Sequence, residues 1–218
     1  MEYVYKLNLP KVEHYLRPGY DIQSHMTSLI TSIDDLSSIF DLDKLNFNEY
    51  NWKNGTGVVF KKRPNGIDEA IHTDGYEISK VYCINWIHGG NGGMKYWDNK
   101  NNYTIKPVVF DLAGRPRINI ETSSLPDKIY PMESNCAYLV NASVPHTGYN
   151  NHTTENRYAI SIRPKMSKRI PWEEFVQSMK HLIINDLPKE KVGLGGTECY
   201  KGKQLIRHYY SSNTKYFI

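Results

Sequence analysis

The 218-residue sequence predicts a mainly β fold, an antiparallel sandwich or barrel with a helix at either flank. Three observations carry that prediction. Residues 55–165 break into short runs rich in β-branched and aromatic side chains, divided by Gly, Asn and Pro. Those runs do not alternate with helical stretches, which argues against a βαβ sheet. Outside them stand two segments with apolar residues at every third or fourth position, the spacing of a helix face.

In chain order, the first helical stripe is Ile22, Met26, Leu29, Ile30, Ile33, Leu36 and Phe40, predicting a helix over 22–40. The expected strands follow at 56–60, 80–87, 93–97, 104–110, 128–130, 136–141 and 158–163. His88-Gly-Gly-Asn-Gly-Gly reads as a turn, its glycines allowing positive φ. The second stripe is Trp172, Phe175, Val176, Met179, Leu182, Ile183 and Leu187, a helix over 171–187. Pro171 suits its first position and Pro188 stops it. One domain over 1–218 is expected, divided into a helical flank at 1–54, a β core at 55–165, and a helix and tail at 166–218.

Composition narrows the function. Hydrophobic residues make up 39% and aromatics 12%, so the chain can build a core and is not a disordered one. There are 27 Lys and Arg against 23 Asp and Glu, a net charge of +4. That mild excess falls short of the concentrated basic stripe of a dedicated nucleic-acid binder. No apolar run reaches the 18 residues a spanning helix needs, so no membrane association is expected. Cys83, Cys136 and Cys199 are odd in number and form no CxxC pair, which suits reduced thiols. With no signal-peptide pattern at the N-terminus, a cytoplasmic protein is expected.

The residues that could carry chemistry are histidines and an arginine. In an extended His72-Thr73-Asp74, positions i and i+2 project to one side, so an imidazole and a carboxylate can grip one cation from one direction. His146 follows the apolar run 136–141 and the Val144-Pro145 pair. Two histidines and one carboxylate on one face of a divalent ion leave its other positions open, as a non-heme Fe(II) site requires. Arg157 begins another β-rich run, and a buried guanidinium there can clamp a carboxylate with two parallel hydrogen bonds.

The order His-x-Asp, distal His, then Arg opening a strand resembles the Fe(II)/2-oxoglutarate-dependent oxygenases, most closely the prolyl-hydroxylase-like branch. The resemblance extends to "VYCIN", "GGNGGMKYW" and "AYLVNASVPHTGYN…NRYAISIRP", covering about half the chain. It implies a double-stranded β-helix, the cupin-like jelly roll, with flanking N-terminal and C-terminal α-helices. It also implies His72, Asp74 and His146 as Fe(II) ligands and Arg157 as partner of the distal carboxylate of 2-oxoglutarate. The implied reaction is hydroxylation of a C–H bond by O₂, with 2-oxoglutarate decarboxylated to succinate and CO₂. The substrate class it favours is a prolyl or other amino-acid side chain, free or in a peptide.

The family often places a Tyr or Lys on the strand after His-x-Asp; here that position falls on Cys83, with Tyr82 on the opposite face. Arg163 shares a strand face with Arg157, an R-x5-R pattern similar to the nucleic-acid demethylase branch, although no nucleotide-binding lid is seen. A rim or ion-paired role is the plainer reading of Arg163. A cupin-like metal-binding protein without oxygenase activity is the other alternative; it would keep the triad and have no need of Arg157. His14, His25, His88, His152, His181 and His208 read as surface or capping residues, and Trp86, Tyr96, Trp97 and Tyr138 as core or pocket wall.

Overall fold

The computed structural model describes residues 1–25, 29–64, 70–75, 80–112 and 114–184. The β-branched and aromatic runs pair as antiparallel ladders. Their strands are β1 (Val4–Leu7), β2 (Ile30–Ile33), β3 (Asn51–Lys62), β4 (His72–Asp74), β5 (Tyr82–His88) and β6 (Gly92–Tyr96), then β7 (Thr104–Phe110), β8 (Pro116–Glu121), β9 (Lys128–Met132), β10 (Ala137–Asn141), β11 (His146–Asn150) and β12 (Arg157–Lys165). Among the described residues two short α-helices, α1 (Ile22–His25) and α2 (Trp172–Ser178), stand outside the ladders. The strands form two six-stranded sheets, ordered β1-β10-β5-β12-β3-β2 and β7-β8-β4-β11-β6-β9.

Alternation along the central strands divides their side chains between two cores. Tyr82, Ile84 and Trp86 of β5 and Tyr158, Ile160 and Ile162 of β12 pack with Trp172 and Phe175 of α2. The intervening residues Cys83 and Ile87 face the second sheet, joining Met94, Tyr96 and Tyr130. The glycine-rich segment after β5 therefore does more than turn a hairpin: it carries the chain from the first sheet to the second. Gly90 there has φ +60°, and a Cβ on it would lie 2.7 Å from the Cβ of Arg157, so both its conformation and its space require glycine.

The helix expected over 22–40 does not form. Helix α1 ends at His25, residues Ile30–Ile33 become β2 on the edge of β3, and Leu36–Ser38 is a 3-10 turn capped by the Asp35 carboxylate. The β-branched Ile30, Thr31 and Ile33 fit a ladder on an otherwise terminal strand better than a helix interior. Ile22, Ile30, Ile33, Leu36 and Phe40 are buried as the stripe required, Leu29 is exposed, and Met26 lies outside the described residues. The second helix is shorter than 171–187. It ends at Ser178, and the chain then turns so that Ile183 bridges Leu7 and the Ile184 N–H donates to Lys6 O at 2.8 Å. Leu187, Pro188, Cys199, His208 and the 189–218 tail lie outside the described residues.

Candidate metal centre

Strand β4 is three residues long, and its pleat places His72 and Asp74 on one face. His146 opens β11 directly opposite His72 in the antiparallel ladder. Residues 74 positions apart in sequence (146 − 72) thus become cross-strand neighbours, with ring centroids 4.8 Å apart. One ligand atom from each of His72, Asp74 and His146 lies within 4.8 Å of the others, and the three residues are 8%, 9% and 6% exposed. His72 Nε2 and Asp74 Oδ1 are 3.5 Å apart.

The tautomers follow from the backbone. His72 Nδ1 lies 2.8 Å from Ala70 O, and His146 Nδ1 lies 2.8 Å from Val144 O. A carbonyl can only accept, so each Nδ1 carries the proton and each Nε2 presents a lone pair. Burial lowers the pKa of both imidazoles, that of His146 to about 4, which keeps them neutral at physiological pH. Burial works the other way on Asp74 and pushes its pKa up. The Arg163 guanidinium beside it prevails, with both histidines helping, and holds the carboxyl down to about 2. Two neutral nitrogen donors and one carboxylate are the set that suits a divalent first-row ion.

Arg163, read from the sequence as a rim or ion-paired residue, finds its partner in the triad. Its Nη2 donates to Asp74 Oδ2, a contact across the two sheets, and Oδ1 is left as the oxygen beside His72 Nε2. The ion-paired reading of Arg163 is the one the structure bears out.

From the triad a cavity of about 90 Å³ runs between the sheets, room for several waters or a small organic molecule. Its lining includes Lys62, Cys83, Asn85, Tyr149, Ser161 and, six residues along β12 from Arg163, Arg157. Arg157 is 5% exposed, and its Nη1 donates to Met132 O at 3.2 Å. No carboxylate among the described residues pairs with it. Burial lowers its pKa to about 10, so it remains a cation facing a small cavity.

Cys83 faces the cavity as expected, with burial pushing its thiol up to about 11, so it is no thiolate ligand. Tyr82 points into the opposite core and donates its hydroxyl to Ile170 O at 2.9 Å. The other described histidine side chains lie away from the triad. His88 contacts Gln23 and Glu13, His152 pairs with Glu155, His181 reaches Phe47 O and His14 packs edge-on against Tyr15. Trp86 belongs to the outer core, Tyr138 to the inner one, and Tyr96 packs beside His146 at 5.7 Å between ring centroids.

No protein-family model and no curated protein matches this chain. Among solved structures, it is similar to the X-ray structure of E. coli ycfD, with 10% identity and a TM-score of 0.37. That likeness covers 99% of this chain and 57% of the other, so the chain spans little more than half of that protein's length. At that TM-score the likeness carries no argument about fold or activity. The site's own geometry must carry the function. Among the described residues no helix is long and apolar enough to cross a membrane.

Proposed function

We propose that this protein is a non-heme Fe(II)/2-oxoglutarate-dependent dioxygenase that hydroxylates a C–H bond of a small-molecule or peptidyl substrate. One observation carries the reading: a buried His72-Asp74-His146 donor set and a buried guanidinium, Arg157, with no acid partner among the described residues, line the same cavity. The triad alone would suit a metal-binding protein of any kind. Arg157 is the addition that an anionic cosubstrate explains, because a desolvated cation without an anion is costly.

The strand order supports a double-stranded β-helix. β3, β12, β5 and β10 adjoin in one sheet, and β4, β11, β6 and β9 adjoin in the other. From β3 to β6 each successive strand changes sheet, and β9 to β12 does the same after the β7–β8 insertion. That winding brings β4 and β11, the ligand strands, side by side.

The donors present fit Fe(II), since both Nε2 lone pairs and Asp74 Oδ1 converge while Arg163 occupies the other carboxylate oxygen. Bound iron would supply the O₂ chemistry that couples oxidation of the substrate C–H to decarboxylation of 2-oxoglutarate. The chain's contribution is positional. Ala70 O and Val144 O fix the imidazole orientations, and Arg163 fixes the carboxylate. Arg157 holds the distal carboxylate of the keto acid, with the apolar walls Met94, Val140 and Ala159 limiting water.

Anaerobic addition of Fe(II) and 2-oxoglutarate should produce a weak visible charge-transfer band. Arg157→Ala should abolish the band at the same cosubstrate concentration while Fe(II) still binds. Metal binding with no band in the wild-type protein would refute the oxygenase reading and leave the cupin-like metal-binding protein. Succinate release then provides the screen for substrate.

A further inference from the structure

A line of tyrosines leads from the metal centre to the N-terminus. Tyr96 of β6 pairs with His146 in the ladder, its ring centroid 5.7 Å from that of the imidazole. Against Tyr96 pack Tyr3, at 5.2 Å, and Tyr130, edge-on at 5.5 Å. Both outer phenols end on carboxylates. Tyr3 donates its hydroxyl to Asp98 Oδ2 and Tyr130 donates its own to Glu2 Oε2, each at 2.7 Å. Asp98 and Glu2 are themselves partly exposed. Phenylalanine would fill the same space without a buried hydroxyl to satisfy. Burial, with the adjacent carboxylates, raises the pKa of both phenols, so both are protonated at neutral pH. A phenol hydrogen-bonded to a carboxylate is also in the form most readily oxidised, because its proton can pass at once to the base. Lys128 Nζ lies 4.5 Å from the Tyr3 ring centroid and opposes positive charge there, so electron and proton leave together.

We propose that Tyr3 and Tyr130, reached across the ring of Tyr96, are electron donors that protect the metal centre when O₂ reacts there without substrate; this rests on the proposed oxygenase function. In productive turnover O₂ takes one electron pair from 2-oxoglutarate as it is decarboxylated and the other from the substrate C–H bond. Without substrate, Tyr3 and Tyr130 supply the second pair. Each loses one electron to the metal centre and its phenolic proton to its carboxylate, leaving a neutral phenoxyl. The products are then succinate, CO₂ and water. Two molecules of a small thiol in solution return one electron each, leave as a disulfide and release their protons to solvent, while the carboxylates return theirs to the phenols. The ligands His72 and His146 are thereby spared oxidation, the competing reaction that such a site must exclude.

The test uses the full chain, loaded with Fe(II), mixed without substrate in two arms and freeze-quenched for electron paramagnetic resonance. One arm receives 2-oxoglutarate and O₂; the other receives hydrogen peroxide, which takes the same electron pair and needs no cosubstrate. Wild-type protein should give a phenoxyl signal in both arms, narrowed when ring-deuterated tyrosine is incorporated. The double variant Tyr3→Phe, Tyr130→Phe should bind Fe(II) as the wild type does, lose the signal and show oxidised His72 or His146 by mass spectrometry. Tyr96→Phe, which keeps the bridging ring, should retain the signal. A merely structural role for the two hydroxyls would lower the melting temperature and leave the signal unmoved. Should the double variant not fold, each single variant should remove part of the signal. A signal undiminished in the folded variants, or succinate release by the wild type without a signal, would overturn the protective chain alone. A signal in the peroxide arm only would support the chain and overturn the proposed function. No signal in either arm, with iron bound, would overturn the chain.

Discussion

The two faces of β5 and β12 are built from alternate residues of the same strands, and they differ in almost every physical respect. One face presents Tyr82, Ile84, Trp86, Tyr158, Ile160 and Ile162 to a dense aromatic core closed by Trp172 and Phe175. The other presents Cys83, Asn85, Arg157 and Ser161 to a cavity. The first satisfies itself; among the described residues the second leaves a cation without an acid and an amide oxygen without a donor. Adjacent residues should thus have opposite consequences when changed. The outer ones should alter stability without altering the site, and the inner ones should alter binding at little cost to the fold.

The largest effect belongs to the outer face. Trp86 is fully buried, donates Nε1–H to Pro10 O at 3.2 Å and packs on Tyr15 and Phe47. Trp86→Ala should cost about 3–5 kcal/mol by urea denaturation, the range for truncating a buried aromatic residue. The fraction that remains folded should bind Fe(II) as the wild type does. A loss of metal affinity in that fraction would break the separation of the faces.

Acid should act on the inner face. The folded-state pKa of His146 is about 4, against an ordinary value of 6.5 in the unfolded chain. Between those pH values the unfolded chain binds the additional proton, so metal-free stability falls as pH drops from 6.5 to 4. The loss is about 3 kcal/mol at 1.4 kcal/mol per pH unit. His72, shifted in the same direction, adds to it. Asp74, with its pKa lowered to about 2, withdraws its contribution only below the ordinary carboxylate range. Urea titrations between pH 7 and 4.5 should show this slope, and His146→Gln should flatten it. An unchanged slope in that variant would locate the acid sensitivity elsewhere.

Arg163 and Arg157 divide the inner face between them. Arg163→Met should release Asp74 Oδ2 and raise the carboxyl pKa, lowering Fe(II) affinity about 10- to 100-fold, as loss of a ligand's supporting hydrogen bond does elsewhere. Arg157→Ala should leave Fe(II) affinity unchanged and weaken only the keto acid. Competition against a chelator separates the two. Equal losses of metal affinity in both variants would mean that the cavity does not have a metal end and an anion end.

Much of this arrangement was legible in the sequence because strand periodicity is local. His72 and Asp74 share a face by their spacing, Cys83 and Tyr82 oppose each other, and Arg157 and Arg163 fall on one side of β12. What was not legible depended on pairing between distant segments. The Arg163–Asp74 contact joins residues 89 positions apart across two sheets. The stripe at 22–40 marked the buried residues but named the wrong element, since a strand and two turns can bury the same positions that a helix would. Strand β8 escaped because Arg117, Asn119 and Glu121 alternate with only two isoleucines, a weak pattern that its neighbours β4 and β7 stabilise.

The smallest expected effect tests the strand register most directly. Tyr82 and Cys83 are neighbours on one strand, and only one of them can face the cavity. The Tyr82 hydroxyl donates to Ile170 O in the outer core, with its ring centroid 5.1 Å from that of Trp172 and 5.0 Å from that of Phe175. Tyr82→Phe keeps the ring and removes that hydrogen bond, leaving a buried carbonyl short of a donor. It should cost about 1 kcal/mol of stability while the 2-oxoglutarate affinity stays at the wild-type value. A Tyr82→Phe protein of unchanged stability but weakened cosubstrate binding would place the hydroxyl in the cavity, shift β5 by one residue and remove Asn85 from the cavity floor.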